Sequence, residues 1–310
     1  QRGSRLGQRG LIQIPKTHAR PGIQIPLGDR KANSARATGD YRAFPFQINI
    51  VHRIFSSRSK NNWRGVWGDL RFLSSNCKTT MAKTVLCIGA HYDDCAFGIP
   101  GIMLQAVRKN YRVVNLSLIG DYSNWAPMKG RHKELLPGCK AVAEEYGVEA
   151  RFLNFASHRF DDSMENRRIV AGEIAAIKPD IAFMLWKEDN HNDHVEASAL
   201  SKICLSHANQ IIDGAEKYRR PGAIYSYDNG PGHTIGFEPN TFMDVTDVWK
   251  DAQDWLGKLM ALVRNKPYDK IAQHSAQRAK ETLARYRGAS CGARYAEAVW
   301  TSRVRARDFL

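Results

Sequence analysis

Two short stretches concentrate the side chains able to do chemistry. In "TVLCIGAHYDDCAFG" (84–98) a smooth apolar run meets His91, Asp93 and Asp94. In "WKEDNHNDHVEAS" (186–198) the end of a second apolar run, "IAFMLW", gives way to Glu188, Asp189, His191, Asp193 and His194. Burying a carboxylate is costly unless it is paired or bound to a cation, so acidic groups beside imidazoles at the edge of buried segments point to a positive ion. A mixed His/carboxylate set with one open position suits catalytic zinc; structural zinc favours four closed ligands. The six cysteines (Cys77, Cys87, Cys95, Cys139, Cys204, Cys291) are scattered, with no C-x-x-C spacing. That argues against a cysteine-based zinc site and for reduced thiols in a cytoplasmic protein.

The elements that must position these residues alternate in type. "KTVLCIGA", "YRVVNLSLIG", "EARFLNF" and "IAFMLW" read as strands. Between and after them, "GIPGIMLQAVRKN", "HKELLPGCKAVAEEYGV" (with an internal Pro137), "DSMENRRIVAGEIAAIKPD" and "VEASALSKICLSHANQII" carry helical spacing. The third helix opens on a capping residue, Asp162 or Ser163, and closes before Pro179. Two later strands, "AIYSYD" and "FMDVTD", precede helices in "WKDAQDWLGKLMALV" and "KIAQHSAQRAKETLARYRG". Strand and helix in alternation predict right-handed βαβ units: an α/β, Rossmann-like fold with a mainly parallel sheet and helices on both faces. In such a sheet ligands bind in the crevice beyond the carboxyl ends of the strands. Both polar stretches follow a strand at that end, so they can converge.

"AHYDDC" resembles the A-H-P-D-D-E/A/C signature of the PIG-L/LmbE family of zinc-dependent N-deacetylases, and "HNDH" resembles that family's second motif, H-P-D-H. "FEPNTFMDVTDVWKDA" is similar to its P-x-x-(F/Y)-x-D-(I/V) segment, and "ARYAEAVW" to its closing Y-A-E-A-F; together the four cover about residues 82–304. Tyr92 and Asn192 stand where the family motifs have proline, and Ala96 where many members carry an acidic residue. The resemblance implies a LmbE-like fold and removal of an N-acyl group, most simply N-acetyl, from an amino sugar such as an N-acetylglucosamine conjugate. It implies His91, Asp94 and His194 as ligands of zinc or another divalent transition metal. Asp93 would be the general base for attack by a zinc-bound water, and a protonated His191 would stabilise the oxyanion. Asp193, between two histidines, reads most simply as the group that orients His191. Trp125 is either a surface for a sugar or a packing residue, and His233 either lines the pocket or sits in a turn.

Other function classes fare worse. The net charge of +15 resides almost wholly in residues 1–80, which hold 15 Lys/Arg against three Asp. The body is near neutral, which argues against nucleic acid as a partner. Residues 1–80 read as a basic, disordered or non-native segment, with translation upstream of a start at Met81, an organelle-targeting segment and a binding tail all open. Residues 81–310 read as a single domain. No apolar run is long enough to span a membrane. The G-x-G-x-x-G turn of dinucleotide-binding proteins is absent, and two aspartates occupy the place where a pyrophosphate needs bare backbone. A non-catalytic, metal-stabilised binding protein on the same scaffold would have no need of the spare carboxylate of Asp93. A small-molecule substrate is therefore expected, with a homo-oligomer compatible with everything above.

Overall fold

The computed structural model describes residues 82–302; the expectations for residues 1–80 and for a boundary at Met81 lie outside them. Seven strands form one sheet: β1 (Thr84–Gly89), β2 (Arg112–Asp121), β3 (Val148–Ala156), β4 (Ile181–Leu185), β5 (Ala223–Tyr227), β6 (Thr241–Asp244) and β7 (Ala296–Trp300). Their order is β3-β2-β1-β4-β5-β7-β6. β1 to β5 pair in parallel, while β7 runs antiparallel to both β5 and β6. β1 and β4 are almost wholly apolar because both faces of the sheet are covered; β1 is buried from Val85 to Gly89.

Helices α1 (Asp94–Gly98), α2 (Pro100–Arg108), α3 (His132–Glu145), α4 (Met164–Ile177), α5 (Asn192–Ile211), α6 (Trp249–Val263) and α7 (Ser275–Ala289) complete the fold. α4 packs on α5, whereas α2 and α3 pack on α6, the two layers expected from right-handed crossovers on either side of β1. The chain winds outward from β1 through β2 to β3, then returns to the other side of β1 as β4. That reversal opens a crevice beyond the carboxyl ends of β1 and β4. Both motif stretches begin there.

Three details differ from the sequence reading. The closing segment around "AEAVW" is a strand, β7, and its antiparallel pairing makes the sheet mixed. The strand expected through Asp247 stops at Asp244, where a 3₁₀ turn (Thr246–Val248) begins. Helix α5 starts three residues before the expected Val195, so the second motif forms a helix N-terminus. His191 is its N-cap, and its ring nitrogen Nδ1 accepts the N–H of Asp193 at 3.2 Å. Asn192 is thus the first helical residue, a position that suits proline but does not require it.

One buried ion pair ties the last strand to the first motif. Glu297 of β7 accepts the N–H groups of Gly101 (3.0 Å) and Ile102 (2.8 Å), the otherwise unpaired first turn of α2. Lys280 of α7 lies 3.0 Å from the same carboxylate and donates to the carbonyl of Gly98 at 2.7 Å. Both side chains are almost fully buried. Removing one partner strands the other charge in the interior, so Glu297→Ala should cost about 3–5 kcal/mol, measured by urea unfolding. A change below about 1 kcal/mol would show that this pair does not anchor β7.

Candidate active site

β1 delivers its polar residues through a tight turn. Asp94 folds back over the strand end, where its Oδ2 accepts the N–H groups of Ala90 (2.7 Å) and His91 (2.8 Å). Gly89 makes room for this: a Cβ there would sit 2.8 Å from that of Asp94. The turn is braced from outside by aromatic packing. Tyr92, standing where the motif has proline, donates its N–H to the Tyr122 hydroxyl and packs with Tyr122 and Trp125. Ring packing thus supplies stiffness that proline would have given.

Four atoms of three side chains converge from the two stretches. His91 Nδ1 lies 3.2 Å from His194 Nε2, His194 Nε2 lies 3.2 Å from Asp94 Oδ1, and His91 Nδ1 lies 3.7 Å from Asp94 Oδ2. For a tetrahedral ion with metal–ligand bonds of about 2.0–2.1 Å, neighbouring ligand atoms stand about 3.3–3.4 Å apart. His194 Nε2 stands at nearly that spacing from both His91 Nδ1 and Asp94 Oδ1, as two edges of such a tetrahedron would. The far nitrogen of each imidazole faces a carboxylate, His91 Nε2 with Asp193 Oδ2 at 3.1 Å and His194 Nδ1 with Asp189 Oδ2 at 3.1 Å. Such outer carboxylates fix the ring proton on the far side and leave the near nitrogen free for a metal. Asn229 Nδ2 donates to Asp94 Oδ1 at 2.9 Å. The donor set fits a divalent ion.

Electrostatics point the same way. Burial alone would lower the pKa of both imidazoles, but Asp193 and Asp94 raise His91 to about 10, and Asp94 and Asp189 raise His194 to about 9. Burial would raise Asp94, yet the charges of His194 and His91 hold it well below the usual carboxylate range. The group thus takes up protons to balance its own negative charge, and a cation could replace them. Asp93 behaves differently. Burial, and next the charge of Asp94, raise its carboxyl to about 6.

The structure revises two expectations. The Asp193 carboxylate, fully buried, faces His91 and not His191: its Oδ2 is 3.8 Å from His191 Nδ1, against 3.1 Å from His91. Ser157 Oγ (2.6 Å) and the N–H of His158 (2.8 Å) donate to it. His191 also differs from the protonated group expected. Burial and the charges of His91 and His194 lower its pKa, and with Nδ1 engaged by the Asp193 N–H its proton belongs on Nε2.

His91, Asp93, Asp94, His191 and His194 all line one cavity of about 800 Å³. Trp125 and His233 line it too, so Trp125 serves both as packing and as wall. Sequence reasoning gave no role to Asp189, Ser157, His158 or Asn229. His158 is a non-glycine residue at φ +58°, its ring stacked on His191 at 5.0 Å and 6°. A left-handed backbone costs of order 1 kcal/mol, and here it accompanies the amide contact to Asp193. Ser157, His158 and Asn229 follow the carboxyl ends of β3 and β5, and that placement was the signal available for them.

Comparisons with known proteins find likenesses of sequence and of fold. The family model for GlcNAc-PI de-N-acetylase (PIG-L) matches residues 86–204, a span that includes both stretches. Diacetylchitobiose deacetylase of Thermococcus kodakarensis is 28% identical over 230 residues, covering 70% of this chain and 82% of that protein. Among solved structures, N,N'-diacetylchitobiose deacetylase from Pyrococcus horikoshii aligns with a TM-score of 0.58 at 21% identity, over 71% of this chain and 83% of that one. GalB, the 4-carboxy-2-hydroxymuconate hydratase of Pseudomonas putida KT2440, aligns with a TM-score of 0.60 at 18% identity, over 74% and 99% of the two chains. At these identities the structural likenesses establish the fold, which a hydratase and a deacetylase share.

If an ion displaces the protons on His91 and His194, loading the apoprotein with Zn²⁺ at about pH 7.5 should release protons into the buffer. Calorimetry in buffers of differing ionisation enthalpy reads this directly; an enthalpy independent of buffer would exclude these imidazoles as ligands. Asp189→Asn should weaken metal affinity by about 10–100-fold through His194.

Proposed function

The chain belongs to the PIG-L/LmbE deacetylase family, and on that premise we propose that it is a metal-dependent hydrolase removing an N-acetyl group from an amino sugar or sugar conjugate. The observation that carries the reading is the triangle of His91, Asp94 and His194 with Asp93 beside it on the same cavity wall, outside the ligand set. His91, Asp94 and His194 would hold the ion, and zinc suits two imidazoles and one carboxylate with a position open. When bound, the ion supplies Lewis acidity, polarising the acyl carbonyl and acidifying water.

The remaining chemistry falls to the chain's own side chains. Asp93, with its raised pKa, is a base strong enough to take a proton from the attacking water near neutrality. It then holds that proton for the departing amine. His191, with its proton on Nε2, donates a hydrogen bond to the oxygen on which charge develops. Asp193 and Asp189 hold the two ligand imidazoles in their working tautomers. Residues 81–310 would act as one domain. The described cysteines are all unpaired, which supports a reducing, cytoplasmic setting, and no helix of the described residues is long and apolar enough to cross a membrane.

Metal analysis of the purified protein, paired with an assay for free amine on N-acetylated sugars, tests the proposal. Asp93→Asn should lower the rate by about 10²–10⁴-fold while metal content stays unchanged. Full activity in that variant would remove Asp93 from its role. Because Asp93 works deprotonated, activity should rise with pH along an acid limb at or below about 6, a divalent charge nearby lowering that value further. A rate flat across that range would contradict a carboxylate base.

A further inference from the structure

Among the described residues, His191 is hydrogen-bonded at only one of its ring nitrogens. Nδ1 accepts the N–H of Asp193 at 3.2 Å, and a single bond of that kind leaves the ring free to tilt about it. The direction of the Nε2 proton therefore depends on what packs against the ring. Two imidazoles lie nearly parallel to it, His194 at 4.9 Å and 23° and His158 at 5.0 Å and 6°. His233 is more distant, at 6.4 Å and 26°. The His194 ring is committed to Asp94 and Asp189 at its two nitrogens. His158 belongs to none of the groups able to hold an ion, and its side chain is 63% exposed.

The turn that carries His158 is fixed from both sides. Ser157 Oγ and the His158 N–H donate to the two oxygens of the buried Asp193 carboxylate, at 2.6 and 2.8 Å. The Arg159 N–H closes the turn on the carbonyl of Ala156 at 3.1 Å, and the buried Phe160 stacks on Phe155 at 5.2 Å. His158 itself adopts φ +58°, in a region that histidine, asparagine and aspartate enter more readily than other non-glycine residues. Such strain persists where the surrounding structure over-determines it, and it clusters at functional sites. We propose that His158 is a positioning residue, its ring stacked on His191 so that the Nε2 proton stays aimed at the oxygen on which charge develops. The inference rests on the role given to His191 under the deacetylase reading, and adds the side chain that holds His191 to it. The backbone of His158 steadies Asp193 and its ring steadies His191, so the two contributions are separable by substitution.

His158→Asn tests this, because asparagine tolerates the left-handed backbone and keeps the N–H on Asp193 while removing the ring. Amine release from N-acetylglucosamine and N,N'-diacetylchitobiose is measured with the metal-loaded full chain. In His158→Asn kcat should fall about tenfold, as small misplacements of a catalytic group do, with KM and metal content unchanged. His158→Phe, which restores a flat ring, should recover most of kcat. In a His191→Ala background, His158→Asn should cause no further loss. An unchanged kcat, a rise in KM in its place, no recovery in His158→Phe, or an equal loss in both backgrounds overturns the positioning role alone. A His191→Ala variant as active as the unaltered chain overturns the role of His191 and that of His158 with it. Absence of amine release from both sugars by the unaltered chain overturns the deacetylase reading itself.

Discussion

Charge balance among the buried side chains at the floor of the crevice is the constraint on which the rest of the structure depends. Asp94, Asp189 and Asp193 have almost no exposed side-chain surface, and such groups persist only when their charge is matched and their lone pairs are filled. The matching is done by His91 and His194, each held between a carboxylate on the inner side and another on the outer side. Hydrogen bonds do the filling: two backbone N–H groups and Asn229 on Asp94, Ser157 and the His158 N–H on Asp193, and the His191 N–H on Asp189. Nothing in this set can be removed without exposing a charge that the fold has buried.

The sheet makes that arrangement affordable. Asp94 is the first residue of α1 and Asp193 lies in the first turn of α5, so both carboxylates sit at helix N-termini, where backbone N–H groups and the helix dipole favour negative charge. The two helices start at neighbouring strands only because the winding direction reverses between β1 and β4. Lys280 and Glu297 extend the same logic outward. They fix α7 and β7 to the α1–α2 junction.

What could be read in the sequence follows from range. The mainly parallel sheet was legible, though not its strand order, because each βαβ unit is local, with its own apolar run and its own caps; Ser163, for example, does cap α4. The site was legible at β1 and β4, where several titratable residues crowd one strand end. It was not legible at β3 and β5, where Ser157, His158 and Asn229 look like ordinary loop residues until folding brings them to Asp193 and Asp94. The identity of the histidine that Asp193 serves was beyond reach for a related reason. Sequence neighbours suggested His191, but helix geometry turns the Asp193 backbone toward that ring and its carboxylate toward His91, 102 residues away. β7 escaped because an antiparallel edge strand formed by a chain returning from two helices leaves no local pattern.

The fold does not choose between adding water to a carbon–carbon double bond and using it to cleave an amide, since a hydratase and deacetylases share this scaffold. The choice would lie in what surrounds a bound ion. Amide cleavage needs a group that accepts a proton from water and returns it to nitrogen, and a separate donor for the carbonyl oxygen. Under the proposed reading Asp93 would meet the first need, because burial and Asp94 raise its carboxyl to about 6. His191 would meet the second, since its service as an N-cap commits Nδ1 to the backbone and leaves the Nε2 proton to donate. A site that merely stored a metal would gain nothing from either, and would relax fastest at Asp93, where a raised pKa marks a carboxylate kept at the expense of stability.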